Sequence, residues 1–250
     1  MLRATIYLTG LLLAATLFAQ PTPTVTRSGD IVTLANAQTR LEFNLATGTY
    51  AIYSQAESRP AIAEASLRIN EWSSSAGGVK RSWSQRKVND PLGEGLALEL
   101  SFKSEDAPQR LFSITLYAGE SFFSVSGGIH NSTDAPLQVK DIHVVAHAAL
   151  YPDFDLSNEF AMIDGFSGGE PLEYGERFYS PLTRANALKS RNNIFLTFAE
   201  GGQRRQLVMG GLSYHDFEKF ATIAQPRRTE LRAGADGQTS LLAYLDLPGE

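Results

Sequence analysis

The side chains able to do chemistry are few and scattered along the chain. Four histidines stand at His130, His143, His147 and His215, and there is no cysteine. His143 and His147 are four apart. On a helix that spacing would suit one metal ion, but along a strand it separates them by about 13 Å, too far to share it. The local pattern reads as strand, so no metal and no other cofactor is expected. Gly165-Phe166-Ser167-Gly168-Gly169 fits the G-x-S-x-G pattern of a nucleophile elbow, in which a strand-to-helix turn exposes the serine. The Pro171 and Gly175 that follow oppose the helix this needs, and Gly-Ser-Gly is ordinary turn chemistry.

Oxygen ligands crowd the stretch Asp153, Asp155, Ser157, Asn158 and Glu159, without the glycine and the spaced final glutamate of an EF-hand loop. A solvated acidic loop is the simpler reading, with calcium left open. Glu170, Glu173 and Glu176 are carboxylates of the kind glycosidases pair, but spacing along a loop does not set the separation of two carboxyl groups. Trp72 and Trp83 lie near small-residue loops, as do Tyr151, Phe154, Phe166, Tyr174 and Tyr179. Exposed rings at such places stack on sugars, and the ordinary alternative for any one of them is the core. Asn131-Ser132-Thr133 fits a glycosylation acceptor and equally a turn. No set of these residues amounts to a catalytic site.

The elements that must position these residues are strands. Leu96, Leu98, Leu100 and Phe102 alternate with Ala97, Glu99, Ser101 and Lys103, the period of two of a half-buried strand. Phe112, Ile114 and Leu116 mark a second strand and Phe123, Val125 and Ile129 a third. The turn Asn131–Pro136 leads to a fourth, giving a four-stranded antiparallel meander over Gly95–Ala146. Upstream, Asp30–Asn36, Thr39–Leu45 and Thr49–Tyr53 read as strands. Ala61–Asn70 is strand or short helix, and Val79–Val88 is a strand holding Trp83. Leu150–Arg191 shows no sustained period, and so long an irregular segment is either functional or hides short strands. Strands resume at Asn193–Ala199, a Gly201-Gly202 hairpin turn, Gln206–Gly211, Leu212–Ile223 and Gly237–Asp246. No helical period persists over ten residues. The fold class is all-β, a large antiparallel β-sandwich.

Composition bounds the setting. Met1–Arg3 carries a positive charge, Ile6–Phe18 is an apolar run of signal-peptide length, and Ala19 offers a small residue for cleavage. The run falls short of the roughly 20 apolar residues of a membrane span. The organisation expected is therefore a signal peptide over 1–19, a linker over 20–29 and a sandwich over 30–250, with an end compatible with a cut at a domain boundary. The mature chain of about 230 residues is one large β domain or two ordinary ones. Export without disulfides suits a bacterial periplasm or exterior. With a formal charge of −5 and no basic cluster beyond Arg204-Arg205 and Arg227-Arg228, nucleic-acid binding is not expected.

Three stretches carry a family resemblance. They are IVTLANAQTRLEFNLATGTY near the start, LYAGESFFSVSGGIHNSTDAPLQVKDI in the meander, and NNIFLTFAEGGQRRQLVMGGLSYHDFEKFATI late in the chain. Gly119, Glu120, Phe122, Phe123, Asn131, Pro136, Leu137 and Val139, with Leu207, Val208, Gly210 and Leu212, resemble the N-terminal β-supersandwich of melibiase-like α-galactosidases. Mutarotase-like carbohydrate enzymes share that architecture. The resemblance implies a nucleophile and an acid/base on two aspartates of a following (β/α)8 barrel. No residue here matches either aspartate, so no catalytic residue carries over. It also implies that the sandwich can lend a loop to the sugar site, with Asp164, Arg191 and Asn192 as candidate contacts beside Trp72 and Trp83.

The reading that results is a non-catalytic sandwich of an exported glycoside hydrolase acting on α-galactosides, with carbohydrate and the barrel as partners. The alternatives are a free-standing carbohydrate-binding sandwich, or a mutarotase-like enzyme using a histidine/glutamate pair.

Overall fold

In the computed structural model the described residues are 22–105, 107–132, 136–153, 157–164, 178–181, 188–190, 193–200, 203–212, 218–224 and 228–234. Thr24–Ser28 (β1), Ile31–Ala35 (β2), Thr39–Asn44 (β3) and Thr49–Ser54 (β4) pair in succession as antiparallel neighbours. Ile62–Ile69 (β5) continues that sheet and carries the short Trp72–Ser73 (β6) at its end. The chain then crosses to a second sheet made of Lys80–Asp90 (β7), Gly93–Ser104 (β8), Ala107–Tyr117 (β9) and Phe123–His130 (β10), in the order β10-β9-β8-β7. Asp141–Leu150 (β11) returns to the first sheet beside β5.

Beyond it come Ser157–Asp164 (β12), Phe178–Pro181 (β13), Leu188–Ser190 (β14), Asn193–Glu200 (β15), Gln203–Gly210 (β16), Glu218–Ala224 (β17) and Arg228–Gly234 (β18). The first sheet has ten strands, running β1-β2-β3-β4-β5-β11-β18-β17-β14 with β6 on β5. The third runs β13-β12-β15-β16. Every pairing is antiparallel, and among the described residues there is no helix. The all-β antiparallel sandwich expected from periodicity is what the chain forms.

The core lies between the ten-stranded sheet and the sheet β10-β9-β8-β7. Val32, Leu34, Leu41, Phe43, Leu67 and Ile69 from one side meet Leu98, Leu100, Phe102, Phe112, Ile114 and Leu116 from the other, all essentially inaccessible. Each such side chain contributes about 1.5–3 kcal/mol by leaving water. Phe102 sits at the centre of an aromatic cluster, edge-on to Phe43 at 6.1 Å, to Trp72 at 5.2 Å and to Phe112 at 6.1 Å.

Polar ties close the two ends. Asn36, after β2, donates to the carbonyls of Tyr117 and Glu120, and its own oxygen accepts from the amides of Gln38 and Thr39. Arg81 of β7 donates to the carbonyls of Ser74, Ala76 and Ala46, binding the β3–β4 turn and the loop after β6 to the opposite sheet.

Several expectations change. The segment read as a linker holds β1, which is zipped onto β2 from Thr24 against Ala35 to Ser28 against Ile31. Ala61–Asn70, ambiguous in sequence, is strand β5. The four strands of the meander do not share one sheet. Its fourth strand, β11, leaves the first three and inserts between β5 and β18, while β7 completes the four-stranded sheet. Alternation shows that a segment is a strand but not which neighbour accepts it.

Leu150–Arg191, read as irregular, contains β12, β13 and β14, and the late region holds β18, which periodicity did not reveal. The expected strand over Gly237–Asp246 lies outside the described residues, as does the signal-peptide segment.

Candidate functional site

The face of the ten-stranded sheet that looks away from the core carries the alternate, polar residues of β3, β4, β5 and β11. On β3, the Arg40 Nε donates to Glu42 Oε1 at 3.0 Å, and its guanidinium lies 4.0 Å above the ring of Tyr53 on β4. Arg40 also donates to the carbonyl of Glu57, whose carboxylate pairs with Arg205 of β16. The Tyr53 phenol is pushed up from its ordinary value, chiefly by burial and then by the neighbouring Glu42 carboxylate.

A second cluster lies on β5 and β11, where register sets Arg68 opposite His143. Asp141 Oδ1 is 3.3 Å from His143 Nε2 and 3.8 Å from Arg68 Nη2. His143 is 3% exposed, whereas the Arg68 and Asp141 side chains keep about a quarter of their surface in water. One carboxylate thus meets a planar donor fork and an imidazole, an arrangement that can accept from and donate to neighbouring hydroxyls.

Between these strands the backbone is irregular in a concerted way. β5 carries one residue more than β4 between the pairs Tyr50–Ala65 and Ile52–Ile62. β11 carries one more than β18 between Val145–Leu231 and Ala148–Thr229. Across β5 and β11 the register is unbroken from Ser66–Ala146 to Ala63–Ala149, so Glu64-Ala65 faces His147-Ala148. Ala65 and Ala148 are buried in the core, while Glu64 and His147 are exposed on the opposite face. Both adopt left-handed backbone, at φ 56° and 54°. For a residue with a Cβ this costs about 1–2 kcal/mol. Paired bulges therefore aim a carboxylate and an imidazole outward together, the use to which bulges are put beside active sites.

The residues expected from sequence fall differently. Trp72 is no exposed platform. It is half-buried, packed on Phe102, stacked with Phe112 at 6.5 Å and covered by the Arg110 guanidinium at 4.9 Å. Trp83 lies on β7 opposite Leu100, half-buried against the core. Both therefore correct to packing residues, and they stand on different sheets. Asp164 ends β12, registered against Asn193. Arg191 and Asn192 lie outside the described residues, as do the Ser167 motif, Glu170, Glu173 and Glu176.

The acidic loop is shorter than read, because Ser157, Asn158 and Glu159 begin β12. Among the described residues no group of three or more metal-ligating side chains is placed to hold an ion. Arg68, Asp141 and Glu64 were missed by sequence reasoning. Asp141-Ile142-His143 did contain a signal, since alternate residues of a strand share a face. Nothing in sequence placed Arg68 or Glu64 beside them. No protein-family model matches the chain, and comparison with curated proteins gives no match.

Proposed function

We propose that the chain is the non-catalytic N-terminal β-sandwich of an exported glycoside hydrolase acting on α-galactosides, periplasmic or extracellular in location, with the bond-breaking aspartates on a following (β/α)8 barrel. The observation that supports a carbohydrate role is the joining of Arg68, Asp141 and His143 on one open face of the ten-stranded sheet. Vicinal sugar hydroxyls donate and accept at once, and a carboxylate flanked by a guanidinium and an imidazole answers both needs. Sugar contact on this reading belongs to the polar sheet face and not to Trp72 or Trp83.

Calorimetric titration of the purified chain with galactose and melibiose tests it. Binding is expected in the millimolar range and is lost in Arg68→Ala, with no hydrolysis of an aryl α-galactoside. Absence of heat at saturating sugar rejects the binding face, and hydrolysis by the chain alone rejects the non-catalytic assignment.

A second reading, a mutarotase-like carbohydrate enzyme, is favoured by one observation, the facing bulges of Glu64 and His147. There one group would take the anomeric hydroxyl proton while the other protonates the ring oxygen as the ring C–O bond opens. Polarimetry of freshly dissolved α-galactose decides. Acceleration by the chain that is lost in Glu64→Gln supports this reading, and an unchanged rate removes it.

A further inference from the structure

β16 is the outer strand of the third sheet among the described residues, and it leaves apolar surface in water. Val208 is 62% exposed, and Leu212, just beyond the strand, is 70% exposed. Leu207 and Met209, of opposite parity, pack towards the core. The row that crosses the sheet from Val208 continues by register through Phe195, Met162 and Tyr179. An exposed apolar row ending on an open strand edge is a surface that proteins ordinarily cover.

The chain's own path indicates what covers it. β18 ends at Gly234, which is registered against Glu218, the first residue of β17. The next residue, Lys219, lays its stem on Gly211, so close that a Cβ on that glycine would stand 2.2 Å from Lys219 Cγ. The chain therefore leaves β18 beside the C-terminal end of β16. Eight residues separate Gly234 from Leu242, a reach of about 26 Å in extended form. From Gly211 back to Val208 is about 10 Å on the same basis. The segment Ser240-Leu241-Leu242-Ala243-Tyr244-Leu245-Asp246-Leu247 is apolar at nearly every position, and approaching from that end it would run antiparallel to β16.

We propose that Leu241–Leu247 adds to β16 as an antiparallel fifth strand of the third sheet, with Leu242 opposite Val208 and Asp246 opposite Arg204. This register extends the apolar row by one residue. It also sets a carboxylate against an exposed guanidinium at the far end of the strand. Leu241 and Ala243 then continue the parity of Met209 and Leu207 on the core side. The strand's edge is satisfied by the same chain and not by a second copy.

Because the chain has no cysteine, a designed pair reports without background. Val208→Cys with Leu242→Cys in the full chain, oxidised under dilute conditions, is expected to close as an intramolecular disulfide in most molecules. The control pair Thr26→Cys with Leu242→Cys, on the far β1 edge, should remain reduced. A disulfide that forms only between two chains assigns the edge to a second copy and overturns the proposal, as does equal reactivity of the two pairs. Slower hydrogen exchange at Leu207 and Val208 in the full chain than in one ending at Asp236 is the second expected result. Equal exchange in the two chains also overturns the proposal.

Discussion

Gly48 and Gly29 are both left-handed, at φ 74° and 59°, yet they should respond very differently to one added methyl group. A Cβ at Gly29 would meet nothing within 4 Å, so Gly29→Ala should cost only the backbone strain, about 1–2 kcal/mol. A Cβ at Gly48 would stand 1.9 Å from the carbonyl oxygen of Ser74 and 2.5 Å from Arg81 Nε. Neither atom can move freely. Ser74 O accepts from Arg81 Nε at 2.8 Å, and Ser74 Oγ donates to Gly48 O at 2.6 Å while accepting from Leu67 N. Displacing that carbonyl gives up one charge-assisted bond, about 1.5–3 kcal/mol, and one neutral bond, about 0.5–1.5 kcal/mol. With the same strain added, Gly48→Ala should lose about 3–6 kcal/mol. Urea unfolding followed by circular dichroism measures both variants, with the midpoint falling and the slope unchanged. In an Arg81→Ala background the Gly48→Ala loss should shrink, since the two share a partner. Losses at Gly48 and Gly29 that agree within about 0.5 kcal/mol would refute the claim that Arg81 and Ser74 rivet the sheets through this turn.

Trp72→Ala should lower thermal stability by about 2–3 kcal/mol, because its ring packs on Phe102 and Phe112; an unchanged melting temperature would return it to the list of surface platforms. Tyr50→Phe leaves the Val144 carbonyl without the phenol that donates to it, and should cost about 1–3 kcal/mol in denaturant unfolding; a neutral effect would show water replacing the bond. Burial pushes the Tyr151 phenol up to about 12 from 10.0. The folded state therefore holds that proton longer than the unfolded chain. Its contribution is complete below pH 10 and is lost as the pH rises to about 12, by about 2–3 kcal/mol. A stability–pH curve should fall across that window, and Tyr151→Phe should flatten the fall; an equally steep curve in the variant would contradict the burial.

Much of the fold was written in alternation. Leu98, Leu100 and Phe102 face the core as their spacing requires, and so do Leu41 and Phe43 and the row Phe112, Ile114, Leu116. Turns at Gly119-Glu120 and at Gly48 fall where their residue types placed them. Alternation failed where strands are short or borrowed. Leu188–Ser190 is a strand only because Ala221–Ile223 lies beside it, more than thirty residues later in the chain. β11 looked like the next strand of a meander, and only the competition between two sheet edges sent it to β5 and β18.

The candidate site was less readable still. Trp72 and Trp83 drew attention because indole rings stack on sugars, but a ring buries as readily as it binds, and both are held by the core. Glu64 and His147 are distant in sequence and meet through one extra residue in each of two neighbouring strands. No residue type announces such a bulge when the positive φ is taken by a glutamate and a histidine instead of a glycine. By itself, then, the sequence determined the strand class and the inward face of most strands, because a period of two is a local property set by each residue and its neighbours. Which edges join, which polar residues of distant strands share a face, and where the backbone turns left-handed were decided by the tertiary structure, because these follow from contacts that exist only once the sheets have met.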